Sequence, residues 1–256
     1  MQSIIHKYMK TNSNTSRGFT LVELLVVISI IATLAGVGLP VFIAKKKDAD
    51  RTEAIANIKQ VGGAMFQFDT DYGSYPCDAT IQEVKNNNPE SGLTFGNASS
   101  NDYFRQLIAA GCIDTEKNFY AKTPYTKRPD NVMSPGKCLG PGECGFAYIM
   151  ANNTDPLTSS GNSGRTLLAA AVYNGMSNGS FDPDVYGKKA VVFRIDQSAT
   201  AESVRPSDKK VTIGGGKTLF QGGDKDTVWG SEINPVIKAP EKNRAGVTSQ
   251  LNTNPP

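Results

Sequence analysis

The chain has one histidine, His6, among 256 residues. His6 lies in the short polar stretch that ends at Gly18. From Phe19 onward there is therefore no Ser-His-Asp triad, no Cys-His pair and no His-ligated zinc site. This argues against a hydrolase, although it leaves chemistry based only on carboxylates open. A surplus of one charge sign is also missing. Three of the 27 basic residues (Lys7, Lys10 and Arg17) and none of the 24 acidic ones precede Phe19, so the remainder balances at 24 against 24. No broad basic footprint remains, and nucleic-acid binding is not indicated. Cys77, Cys112, Cys138 and Cys144 lack the paired two-to-four-residue spacing of a four-thiolate zinc site. Outside the cytoplasm an even number suggests two disulfides, with three connectivities open. Cys138 and Cys144 flank Leu139-Gly140-Pro141-Gly142 and suit a small closed loop; Cys77 with Cys112 would then tie the end of a long helix to the following segment. Gly214-Gly215-Gly216-Lys217-Thr218 resembles the end of a phosphate-binding loop, but Val211 stands where that pattern needs glycine, and a turn is expected.

Charge is scarcest between Phe19 and Ala44, where Glu23 is the only charged residue in 26. As a helix this run spans roughly 39 Å, enough to cross a hydrocarbon core of about 30 Å with tilt. It is too long for an ordinary secretory signal, and the small residue, Gly18, precedes it rather than following. A carboxylate at bilayer depth is costly, and the Coulomb return from an opposite charge in contact is of similar size. Glu23 therefore needs a partner or a snorkelling route to water. Gly36, Gly38 and Pro40 loosen the same helix and predict a kink over residues 36 to 40. The basic leader favours a cytoplasmic N-terminus; Lys45, Lys46 and Lys47 argue the opposite, but that rule weakens before a long translocated part.

Arg17-Gly18-Phe19-Thr20-Leu21-Val22-Glu23 and the apolar run after it closely resemble the N-terminal signal of type IV prepilins and type II secretion pseudopilins. The Asp71-Tyr72-Gly73-Ser74-Tyr75-Pro76 stretch resembles the helix end of major secretion pseudopilins. The resemblance is specific over about residues 17 to 45 and fades after Pro76. It implies cleavage by a prepilin peptidase between Gly18 and Phe19, N-methylation of Phe19, and pairing of Glu23 with the α-amino group of a neighbour's Phe19. It also implies, as partners, copies of this chain and other pilin-like subunits, and an assembly ATPase acting through a platform membrane protein. The location implied is the bacterial inner membrane, with the globular part in the periplasm, and then a filament in the periplasm or at the cell surface.

Beyond the lysines, Ala54, Ile58, Val61, Met65 and Phe68 follow the 4-3-4-3 spacing of one helical face. The expected organisation is a leader over 1–18, the membrane half of a long helix over 19–44, its amphipathic half over 45–76, and a globular part over 77–256. Gly73 and Pro76 end the helix. Residues 78 to 100 read as a connecting loop, Asn101-Asp102 as the cap of a short helix ending at Gly111, and 152 to 164 as a hairpin loop. Strands are expected at 146–150, 166–173 and 189–195, with short ones near 210–213 and 217–220; the alanine-rich 167–172 could instead be helical. The proline-containing tail reads as extended or mobile. Asp182 with Asp184, and Asp224 with Asp226, offer oxygens that calcium could use. Related pseudopilins bind calcium in a C-terminal loop, but their motif is not matched here, so no metal ligand is assigned. The expected fold is α+β and pilin-like: a long N-terminal helix on a small antiparallel β-sheet. The expected role is a non-enzymatic filament subunit of a type II secretion pseudopilus or a type IV pilus. The alternative is a pilin-anchored surface adhesin or ligand-binding module, which an exposed aromatic groove at Trp229 would favour.

Overall fold

A computed structural model describes residues 18–172 and 179–242. It divides between Ile43 and Ala44 into two units. The first unit is the beginning of helix α1 (Leu21–Tyr72), a single 52-residue element shared with the second. Every described residue from Gly18 to Ile43 is exposed, including Phe19, Leu21 and Phe42. Among the described residues, α1 is the one helix long and apolar enough to cross a membrane. The leader residues 1–17 and the tail residues 243–256 lie outside the described residues.

In the second unit the amphipathic half of α1 buries Ala54, Ile58, Val61, Met65 and Phe68, the stripe expected from the spacing, together with Gly62 and Ala64. Gly73 ends the helix at φ 76°, a left-handed conformation that costs glycine little, and its N–H donates to the Asp69 carbonyl at 2.9 Å. The stripe faces an antiparallel sheet of β1 (Phe146–Met150), β2 (Thr166–Ala170), β3 (Lys189–Arg194), β4 (Ala199–Ser203) and β5 (Val236–Lys238), in the order β4-β3-β2-β1-β5. Tyr148 pairs with Leu168 and Leu168 with Phe193, so these three side chains share one face. On that face Phe193 meets Phe66 of α1 edge-on at 6.5 Å between ring centres. Tyr148 meets Tyr103 and Phe104 of helix α3 (Ser100–Ala109) at 5.6 and 5.9 Å. Ala147, Ile149, Ala169 and Val192, on the other face, are equally buried, so the sheet is covered on both sides.

Several local expectations are revised. The segment 78–100 is not wholly loop: it contains helix α2 (Ile81–Asn87). The cap of α3 is Ser99, which forms a reciprocal box with Asp102, whereas the Asn101 amide donates to the Leu139 carbonyl at 2.9 Å. The alanine-rich stretch is strand and stops at Ala171, whose left-handed φ of 63° cannot continue a ladder. Residues 210–213 and 217–220 form isolated bridges, Val204 to Val211 and Thr212 to Thr218, rather than strands. The edge strands β4 and β5 were not anticipated, and β5 lies in the tail that read as extended or mobile. The four cysteines are unbridged. Cys144 Sγ donates to the Phe146 carbonyl at 3.4 Å, Cys77 Sγ lies 3.8 Å from Ser74 Oγ, and Cys138 sits beside Glu116. Burial pushes the Cys144 thiol up to about 12 and that of half-buried Cys112 up to about 11.

At Gly62 the α1 backbone leaves no room for a side chain against the sheet. A Cβ there would lie 2.2 Å from Phe193 Cζ, well inside van der Waals contact. Gly62→Ala should destabilise the globular unit by about 1–3 kcal/mol, measured by thermal or urea unfolding. Phe193→Leu, which withdraws the ring tip, should recover part of that loss in the double variant. Full stability of Gly62→Ala alone would contradict this packing.

Candidate processing and assembly site

Gly18, Phe19 and Thr20 precede the first turn of α1, and Glu23 is the third residue of that turn. A helix start leaves its first amides without intrahelical acceptors. Here two side chains supply acceptors reciprocally. The Glu23 N–H donates to Thr20 Oγ1 at 3.2 Å, and the Thr20 N–H donates to Glu23 Oε2 at 2.9 Å. Thr20 Oγ1–H also donates to the same carboxylate oxygen at 2.7 Å. This is a capping box, with the acid placed at the positive end of the helix dipole. Before any neighbour arrives, exposed Glu23 is thus held by its own chain through Oε2.

The rest of the apolar segment leaves no other charged group to place. Ser29 donates to the Leu25 carbonyl at 2.8 Å and Thr33 to the Ser29 carbonyl at 2.9 Å, so both hydroxyls are satisfied along the helix. Gly36 and Gly38 have nothing of their own chain within 4 Å of where a Cβ would stand. Their smallness is therefore not required by packing within the protomer. Pro40 brings no amide hydrogen, which removes the helical donor for the Gly36 carbonyl. The helix nonetheless runs through all three to Tyr72.

Elsewhere the sequence candidates do not converge. Asp182 caps its own turn by accepting from the Asp184 N–H at 2.9 Å. Asp224 and Asp226 both face Lys217 Nζ, at 2.7 and 3.4 Å, an ammonium where a bound cation would have to sit. The Asp224 and Asp226 carboxylates are thus paired with an ammonium of their own loop. Trp229 is buried, its Nε1–H donating to the Leu219 carbonyl at 2.7 Å, so its ring is not offered to an exposed groove. Glycine-rich 214–216 is a single tight turn.

A family model of the prokaryotic N-terminal methylation motif matches residues 13–39. The type II secretion system core protein G of Klebsiella pneumoniae is 30% identical over 56% of this chain and 89% of its own length. The protein of the same name from Pectobacterium carotovorum is 33% identical over 54% of this chain and 76% of its own. The chain belongs to the type II secretion pseudopilin and type IV pilin family. The pilin side is represented by the type IV wide pilus major component PilA4 of Thermus thermophilus, 34% identical over 34% of this chain and 70% of its own. No solved structure matches the chain significantly. The protein is accordingly a structural filament subunit, membrane-anchored and processed by a peptidase, and not an enzyme. The role of Thr20 was missed by the sequence reading, although Thr20-Leu21-Val22-Glu23 spells the T-x-x-E signature of the box.

Thr20→Val removes the hydroxyl while keeping shape. In detergent micelles it should speed amide exchange in the first turn of α1 about fivefold, the loss of one cap, whereas Thr20→Ser should preserve protection. Equal exchange in all three proteins would show that the box does not hold the helix start.

Proposed function

We propose that the precursor is held in the inner membrane by residues 19–44, with leader 1–18 in the cytoplasm and the globular part, 77–256, in the periplasm. The prepilin peptidase cuts between Gly18 and Phe19, and Phe19 becomes the N-methylated first residue. Glu23 then pairs with the Phe19 amine of a neighbouring subunit and sets the register of the filament. An assembly ATPase, working through a platform membrane protein, drives polymerisation. The amphipathic half, 45–76, carries the globular part, while Gly36, Gly38 and Pro40 give the membrane half a bendable point. The product is a type II secretion pseudopilus; this choice over a surface pilus rests on core protein G being the recurrent relative.

The observation that carries this reading is the start of α1. Gly18 stands three residues before the first helical residue, Leu21, and the only acid of the apolar run is fixed within the first turn by Thr20. A head-to-tail contact of this kind does not close on itself, which is how a filament grows.

Intact mass of the protein from membranes should correspond to a chain beginning at N-methyl-Phe19; a chain beginning at Met1 in cells with active peptidase would refute the processing step. Glu23→Ala should insert in the membrane at the wild-type level, yet its share in filaments should fall at least tenfold. Incorporation equal to wild type would refute the pairing.

A further inference from the structure

Three carboxylates meet ahead of β1, far along the chain from the C-terminal aspartates. Glu116 lies on a single 3-10 turn (Glu116–Phe119), Asp130 on the loop after it, and Glu143 just before β1. Their carboxylate oxygens fall within 4.8 Å of one another. Glu116 and Glu143 are 0% and 2% exposed, and Asp130 opens to solvent.

Each acid is aimed by a main-chain amide. Leu139 N–H donates to Glu116 Oε1 at 2.5 Å, Gly140 N–H to Glu143 Oε2 at 2.7 Å, and Val132 N–H to Asp130 Oδ1 at 2.9 Å. Two non-glycine residues of the loop, Asn131 and Leu139, adopt left-handed φ values of 61° and 45°, which such residues rarely take. Asn131 Oδ1 also accepts from the Glu116 N–H at 3.0 Å and from Thr115 Oγ1 at 2.8 Å, tying the loop to the turn. The backbone is thus wound so that acids converge.

The cluster lacks the positive charge to match. Glu116 Oε2 is buried with no hydrogen-bond partner among the described residues, a costly state for an acid oxygen. Among the described residues, the ion pair made by the cluster is with half-exposed Lys127, 3.3 Å from Glu143 Oε1, while the Arg105 guanidinium is engaged with the Cys138 and Leu139 carbonyls. Burial, reinforced by Glu143 and Asp130, holds the Glu116 carboxyl above its ordinary range despite the Leu139 amide. The Cys138 thiol beside it is pushed up to about 12, by burial first and then by the Glu116 charge.

We propose that Glu116, Asp130 and Glu143 form a binding site for a hard divalent cation of the calcium class, which fastens the 116–143 loop to the start of β1. An all-oxygen donor set excludes the preferences of zinc and copper. Calcium takes oxygens at about 2.3–2.6 Å, so ligands on opposite sides stand up to about 5 Å apart, matching the cluster. Magnesium draws them to about 4 Å and sheds water reluctantly. The exposed side at Asp130 leaves room for waters and for entry, and Lys127 can swing outward when the ion arrives.

The test uses the full chain in nonionic detergent, stripped with EDTA and titrated with calcium chloride. Calorimetry should show one ion per chain. Calcium at about a hundred times Kd should raise Tm by about 5–10 °C. Asp130→Asn, at an exposed position, should fold normally and lose both signals. The double variant Asp182→Asn, Asp226→Asn should keep both. Absence of binding to the wild type, unchanged binding to Asp130→Asn, or loss in the double variant would overturn the assignment.

Discussion

The whole arrangement depends on an apolar run that water cannot accommodate. From Phe19 to Ile43 the side chains are exposed and, apart from Glu23, uncharged. Left in solvent, such a surface would aggregate; it must be covered by lipid or by the same segments of other subunits. A filament offers the second cover once the first is given up. That exchange keeps the hydrophobic term nearly constant, since both surroundings are apolar. The balance then falls to the few polar groups in the segment. Ser29 and Thr33 are satisfied along their own helix, so Glu23 is the group whose surroundings change most.

Glu23 is not idle before assembly. Its carboxylate closes the capping box with Thr20, which fixes its direction and keeps it hydrogen-bonded. The bonds from Thr20 all fall on one carboxylate oxygen, Oε2. The protomer thereby presents the acid in a defined geometry instead of on a mobile side chain, which lowers the ordering cost of pairing. The same constraint explains why one carboxylate suffices: further acids in the run would each need a partner of their own in a medium of low dielectric.

The fold was legible where periodicity or turn chemistry fixes it. The five-residue stripe of α1, the helix end at Gly73 and the cores of the three inner strands all follow from spacing and from residues that stop an element. The edges were not legible, because β4 (Ala-Thr-Ala-Glu-Ser) is made of small and polar residues and β5 has only three residues, and each is defined by its pairing with an inner strand. At the N-terminal site Gly18, Phe19 and Glu23 stand out in the sequence and fall within the stretch that the methylation-motif model matches, whereas the cap role of Thr20 was readable but overlooked. The Glu116, Asp130 and Glu143 cluster left no trace in sequence: the three acids are far apart along the chain and are assembled by loop backbone alone.

The most direct measurement is a structure of the assembled filament, resolved well enough to place the first turn of α1. A Glu23 carboxylate within about 4 Å of a neighbouring subunit's Phe19 nitrogen, with Thr20 still bonded to its other side, is the expected result. A filament in which the Phe19 nitrogen lies far from every Glu23, or in which Glu23 points to solvent, would contradict the register role at the centre of this mechanism.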